Sequence, residues 1–294
     1  MFLAEQILSI DTERLLVTTY GNEVRSNDAN VKFTKISPCS HEEADTRMIL
    51  HLSDIVNEGY SKIVIRTVDT DVLVLVTAAY HNLKENCMQE IEFWVAFGTG
   101  KHMRFIPAHE IANVLGKERC FSLPFFHAYT GCDTVSSFGG RGKRKAIETW
   151  NLYPEVTDAF LALSDCPSEI SKPSMERLER FVILMYDRTS GEKDINMARK
   201  QLFAQKGRPL ENIPPTQAAL LQHTRRAAYQ AGYCWGQATV PSPILPNPQD
   251  WGWTMVNDEW QPHWSDNPEI TKSCRELVKC ARFKAIVWSC LNLA

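Results

Sequence analysis

Between residues 42 and 57 the apolar positions Ala44, Met48, Ile49, Leu52, Ile55 and Val56 fall on one helical stripe, and Gly59 stands where a C-cap belongs. Ser40 and Glu43 have the spacing of a capping box at the start of this helix, and the acids of "HEEAD" complement its dipole. "KIVIR", from residue 62, is short and β-branched and reads as a strand. "TVDTDVLVLVTAAYHN" places acids at that strand's end, and the length and alanine content of the following run predict a helix beginning near Thr70. Helix, strand and helix in this order build a parallel sheet.

The pattern elsewhere is simpler. "RLLVTTY", residues 14–20, predicts a strand followed by a polar loop to about residue 38. "IEFWVAFG" and "HMRFIP" flank Gly98-Thr99-Gly100 as a hairpin. "PAHEIANVLG", "FSLPFFHAYTGC" and "GKRKAIETW" predict helices, and further helices are expected over residues 155–164, 174–187, 194–205 and 215–229. From about residue 240 the texture changes to "VPSPILPNPQDWGW", and five of the eight tryptophans lie between Trp235 and Trp264. Such aromatics either pin a proline-rich loop onto the helical body, the favoured reading, or stack on bases or a partner peptide. The organisation expected is an α/β core with a basic turn over residues 1–150, a helical extension over 151–238, and a Pro/Trp-rich wrap with a C-terminal helix over 239–294.

Composition narrows the class. The 294 residues are 44% hydrophobic and 23% charged, as in soluble globular chains. A net charge of −3 gives no overall attraction to nucleic acid, so any such binding must use a local patch. The nine cysteines are scattered without C-x-x-C pairs, which fits buried thiols in a reducing compartment. "MFLAEQILSIDTER" has no basic leader, and the longest apolar run, "VLVLVTAAY", is too short to cross a bilayer. A soluble, intracellular protein without a membrane partner is expected. His127, on an apolar helix face, reads as a hydrogen-bonded core histidine.

Three acidic clusters carry the candidate chemistry: Glu43 with Asp45, Asp69 with Asp71, and Asp133 within "TGCDT". Each has a structural explanation, as a helix cap or a solvated loop acid. Asp69 and Asp71, however, sit at the carboxyl end of a predicted parallel strand, where open α/β sheets place ligands. Carboxylates so placed need a cation to offset their repulsion. Mg²⁺, with Mn²⁺ as a substitute, is the hard ion for such oxygens, and a pair of such ions can activate water and stabilise a leaving phosphate oxygen. In "GGRGKRKA", Gly140 and Gly142 permit a tight turn opening onto a helix N-terminus, surrounded by Arg141, Lys143, Arg144 and Lys145. A G-x-G turn feeding a basic helix is how helix–hairpin–helix elements hold a DNA phosphate backbone without reading bases.

Taken in order, these motifs resemble the internal region and helix–hairpin–helix segment of the flap endonuclease (XPG-type, PIN-like) nucleases. In that family an acidic pair opens a helix, D-x-D ends the next strand, and G-[CS]-D precedes a G-x-G turn and basic helix. The matching residues are Glu43 and Asp45, Asp69 and Asp71, Asp133, and "GRGKRKA" at 140–146. More closely, and over nearly the whole chain, "HEEADTR", "RTVDTDVLVL", "AFGTGKH", "TGCDTVSSF" and "NIPPTQAAL" resemble a group of animal proteins spread by mobile elements.

The resemblance implies a PIN-like (Rossmann-like), mainly parallel sheet with helices, a helix–hairpin–helix element, and a helical extension. It implies a Mg²⁺-dependent, structure-selective DNA nuclease, with Glu43, Asp45, Asp69, Asp71 and Asp133 as catalytic metal ligands. Gly140, Arg141, Gly142, Lys143, Arg144 and Lys145 would hold DNA through its phosphates, and a DNA substrate would place the protein in the nucleus. Some forty residues precede Glu43, fewer than the family's first strand and arch, so a truncated or degenerate core is expected. The mobile-element group continues into a cysteine-rich zinc-binding tail; Cys274, Cys280 and Cys290 lack that spacing, and zinc is not expected. The contrasting readings are a non-catalytic DNA-binding or scaffold protein, and a plain helical interaction module in which the acids are caps.

Overall fold

The computed structural model describes residues 2–87, 89–205, 209 and 212–265. These form two compact units. The first comprises Met1–Pro124, Ser164–Cys166 and Ala231–Leu245; the second comprises Phe125–Leu163, Pro167–Gln230 and the chain from Pro246.

The first unit opens with α1 (Phe2–Leu8), which buries no residue, and a hairpin of β1 (Val17–Tyr20) and β2 (Glu23–Ser26). The predicted strand is therefore shorter, and the polar loop after it holds a second strand that its sequence, EVRS, does not advertise. Helix α2 (Ala44–Asn57) buries Ile49, Leu52 and Val56 of the expected stripe together with Leu50, while Ala44 and Ile55 stay exposed. In β3 (Lys62–Thr67) Ile63 and Ile65 alternate inward. Helix α3 (Thr70–Glu85) adds Val72, Leu75, Val76, Tyr80 and Leu83 to the buried set. Strand β4 (Glu92–Phe97) pairs parallel to β3, setting Ile63 beside Phe93 and Ile65 beside Val95.

After β4 the chain reverses at Gly98 (φ 93°), where an added Cβ would lie 2.9 Å from the His102 carbonyl oxygen. Strand β5 (Arg104–Pro107) returns antiparallel, followed by α4 (Ala108–Leu115) and α5 (Lys117–Tyr129). The sheet thus has the order β3-β4-β5, with one parallel and one antiparallel pairing. The expectation of a mainly parallel sheet is corrected to a small mixed one. The link from Phe97 to Arg104 is too short for a crossover, which needs about a dozen residues or more.

The second unit is helical: α6 (Lys143–Leu152), α7 (Thr157–Ser164, its last residue in the first unit), α8 (Lys172–Tyr186), α9 (Ile195–Ala204) and α10 (Gln217–Ala228). Side chains of Ser171, Asp194 and Thr216 cap α8, α9 and α10 by accepting from first-turn N–H groups. Aromatic rings fill the core. Phe125 stacks on Tyr129 at 5.3 Å, and Phe160 meets Phe181 edge-on at 5.3 Å. The buried Glu179 carboxylate accepts from the Ile195 N–H and from Gln217 Nε2.

The tryptophan-rich stretch is held to α10 through Trp251 and through Arg226, while Trp260 and Trp264 are exposed, so the aromatics do only part of the pinning expected of them. Trp251 is buried, and the buried Arg226 guanidinium donates to the Gly252 and His263 carbonyls at 3.1 and 2.6 Å. A hairpin unforeseen from the sequence follows, β6 (Trp253–Val256) with β7 (Glu259–Pro262). Its turn is Asn257-Asp258, both at positive φ (51° and 64°), the geometry of a two-residue type I′ turn. The expected C-terminal helix and Cys274, Cys280 and Cys290 lie outside the described residues.

One buried group makes stability depend on pH. His223 Nε2 donates to the Tyr129 carbonyl at 2.8 Å, and its ring packs against Tyr129 and Phe138. Burial pushes its pKa down to about 4, the Arg226 charge acting in the same sense. The unfolded chain takes up this proton near pH 6.5, the ordinary value for histidine, and the folded chain does not. The stabilisation is therefore complete above pH 6.5 and falls as pH drops toward 4, by roughly 3 kcal/mol. Thermal unfolding across this range is expected to show a fall in Tm that is shallower in His223→Gln.

Candidate metal centre

The path of the chain creates the site. Helix α2 begins at Ala44 and its 14 residues run about 21 Å away from that point. Strand β3 brings the chain back over six residues, about 20 Å, and α3 then starts outward again. Both helices therefore begin at one end of the unit. Asp45 lies in the first turn of α2, Asp69 is the N-cap of α3, and Asp71 lies in the first turn of α3.

One carboxylate oxygen from each of Asp45, Asp69 and Asp71 lies within 4.8 Å of the other two, an arrangement that can hold a metal ion. All three side chains are half-buried. Two helix N-termini supply partial positive charge that offsets part of the mutual repulsion. Local bonds set the α3 arm: the Asp69 N–H donates to Thr67 Oγ1 at 2.9 Å, and the Asp71 N–H donates to Asp69 Oδ1 at 2.9 Å. Asp69 therefore both caps α3 and faces the cluster. The capping bond does not exclude a metal ion, since a carboxylate offers about four lone-pair sites. Three hard oxygen donors suit Mg²⁺, Mn²⁺ or Ca²⁺ rather than a thiophilic metal.

The predicted capping box does not form. Glu43 is itself the N-cap of α2, and its side chain makes no capping bond. Its Oε2 instead accepts from the indole N–H of Trp235 at 3.0 Å, while the Ser40 N–H donates to the Pro241 carbonyl. Chain entry from a distant segment has displaced the local motif. Trp235, 4% exposed, contributes to this corner rather than to the packing of a proline-rich loop. A tryptophan nearly two hundred residues from an acidic pair carries no local signal of that partnership.

Asp133 belongs to the second unit and is exposed in the loop after α5; it joins no group of three candidate ligands among the described residues. The glycine-basic segment does form a tight turn. Phe138 and Arg141 make an isolated bridge around Gly139-Gly140, with Gly140 at φ 64°, and Gly142 is the N-cap of α6. Its cations divide into two sets. Lys143 Nζ donates to the carbonyls of His127 and Gly131 and to Thr130 Oγ1, closing the C-terminal end of α5. Arg141 stacks on the Tyr186 ring at 4.7 Å and donates to Asn212. Arg144 points outward, its side chain 95% exposed and 3.5 Å from Glu148, and Lys145 is half-buried. His127 is a buried core residue, in keeping with its sequence reading.

No family model, curated protein or solved structure matches this chain. The site has to be judged on its own geometry. No helix among the described residues is long and apolar enough to cross a membrane.

Two mutational tests separate architecture from chemistry. Asp69→Ala removes the α3 cap and is expected to cost about 1 kcal/mol in metal-free buffer, whereas Asp69→Asn keeps the acceptor and stays near the parent. Lys143→Met leaves the end of α5 unsatisfied and is expected to cost roughly 1.5–3 kcal/mol. Arg144→Ala, at an exposed position, should stay within about 0.5 kcal/mol. Urea unfolding of the four variants measures both contrasts.

Proposed function

We propose that this chain is a divalent-metal-dependent, nuclease-like protein that acts on DNA phosphodiesters, with Mg²⁺ or Mn²⁺ held by Asp45, Asp69 and Asp71. One observation carries the reading: acids from two different helices, 24 residues apart at the nearest, bring oxygens within 4.8 Å. Capping accounts for Asp69 and not for the approach of Asp45. A bound Mg²⁺ would supply Lewis-acid stabilisation of phosphate oxygens and a more acidic water. The protein's part is to fix three carboxylates on two helix starts braced by β3. The order of the acidic and glycine-basic motifs, resembling that of flap endonuclease-type nucleases, supports the same reading.

Arg144 and Lys145, beside the Gly142 N–H at the start of α6, are the groups we assign to phosphate contact, with Gly140 and Gly142 shaping the turn. Lys143 and Arg141 serve that role less directly, since each is engaged within the second unit. A single three-acid group occurs among the described residues, which suits one ion rather than two. Hydrolysis is therefore expected to be slow. The internal use of Lys143 and the capping bond of Asp69 favour a second reading, a DNA-binding or scaffold protein that has kept the fold without catalysis.

The deciding experiment titrates the purified chain with Mn²⁺ and then supplies flap, nicked and single-stranded DNA. Weak cleavage by the parent and none by Asp71→Asn supports the nuclease reading. Metal binding without cleavage of any substrate supports the scaffold, and an absence of metal binding overturns the site. For DNA contact, charge reversal of Arg144 and Lys145 should weaken binding to duplexes of any sequence. The salt slope should flatten by roughly 1.8 for two lost phosphate contacts. An unchanged slope would mean that this turn is only a solvated face.

A further inference from the structure

Helix α2 is entered under unusual constraint. Three bonds tie residues 40–43 to the segment around residues 235–241: Trp235 Nε1 to Glu43 Oε2 at 3.0 Å, His41 Nε2 with the Val240 carbonyl at 2.6 Å, and the Ser40 N–H to the Pro241 carbonyl at 2.9 Å. Both segments belong to the first unit. Trp235 closes a π-helical stretch, Tyr229–Trp235, a geometry that is rare overall and frequent at functional sites. The residue after it is Gly236, at which a Cβ would lie 2.2 Å from the Gly232 carbonyl oxygen and 3.0 Å from that of Ser164. Only glycine lets the chain turn there and leave the indole against Glu43.

A buried indole N–H must find an acceptor, and this one takes a carboxylate, the stronger, charge-assisted kind. The carboxylate concerned is the N-cap of the helix whose first turn carries Asp45, yet it is not spent on capping. Nor is Glu43 within the group of three mutually close acids. Metal sites commonly depend on outer groups that orient the ligands and the bound waters.

We propose that Trp235 is a positioning residue of the metal centre: by holding Glu43 Oε2 it sets that carboxylate as the outer acid of the site and sets the α2 start that presents Asp45. This proposal rests on the metal reading given above. The influence would run from the indole through Glu43, the N-cap of α2, to the first turn that carries Asp45, and the Glu43 charge would act on a bound ion from outside its ligand set.

The test is a double-mutant cycle on the full chain, with Mn²⁺ affinity read by titration and folding checked by thermal unfolding in EDTA. Trp235→Phe keeps an aromatic ring and removes the donor; Glu43→Gln keeps the shape and an acceptor and removes the charge. Each single variant is expected to bind Mn²⁺ about 10-fold more weakly, and the double variant no more weakly than the weaker single one. Parent-like affinity in Trp235→Phe overturns the proposal while leaving the metal centre standing. So do single effects that multiply in the double variant, because independent packing losses add in free energy. If Trp235→Phe fails to fold, Glu43→Gln decides, and unchanged affinity there overturns the proposal. A parent chain that binds no Mn²⁺ overturns the metal reading and this proposal together.

Discussion

Charges of one sign do not gather unless the backbone compels them, and here the compulsion is the return path of β3. Its six residues retrace nearly the length of α2, so α3 must begin where α2 began. Ile63 and Ile65 lock β3 to β4, and the helix faces close over the same side of the sheet. The segment ending in Trp235 holds the N-terminal end of α2. The acids are thus neighbours because of packing far from them, and loosening the β3–β4 pairing would disperse them without touching a carboxylate.

The elements of this unit were largely legible because their periodicities are strong. The α2 stripe, the alternation in KIVIR and the long run after Thr70 all appear where the pattern places them. Hairpin β1–β2, and β6–β7 in the second unit, were not, because EVRS and EWQP lack the apolar alternation that announces a strand. Their turns, Gly21-Asn22 and Asn257-Asp258, were the available signals. Within the site, Asp45, Asp69 and Asp71 were readable only as part of a larger set with Glu43 and Asp133, because sequence shows which acids open a helix or end a strand and not which of them converge. The fate of Glu43 was not, since Ser40 and Glu43 satisfy a local rule that a distant indole and the Pro241 carbonyl override.

The basic turn teaches a related point about reading charge from sequence. Arg141, Lys143, Arg144 and Lys145 look alike in a string, yet their surroundings give them different work. Lys143 completes the hydrogen bonding of a helix end and Arg141 lies on an aromatic face, while Arg144 meets solvent. A run of cations is a single electrostatic patch only when all its members point outward.

Arg226 introduces another kind of economy. It grips the chain around the β6–β7 hairpin through the Gly252 and His263 carbonyls, which every amino acid supplies alike. The latch recognises main chain rather than side chains. Most hairpin positions can therefore drift in sequence while the fold keeps its hold, and the burden of specificity falls on two residues. One is Arg226, and the other is Gly252, where φ is 82° and a Cβ would come within 2.7 Å of the Gln222 carbonyl oxygen. A region that varies freely in composition can in this way remain invariant in shape.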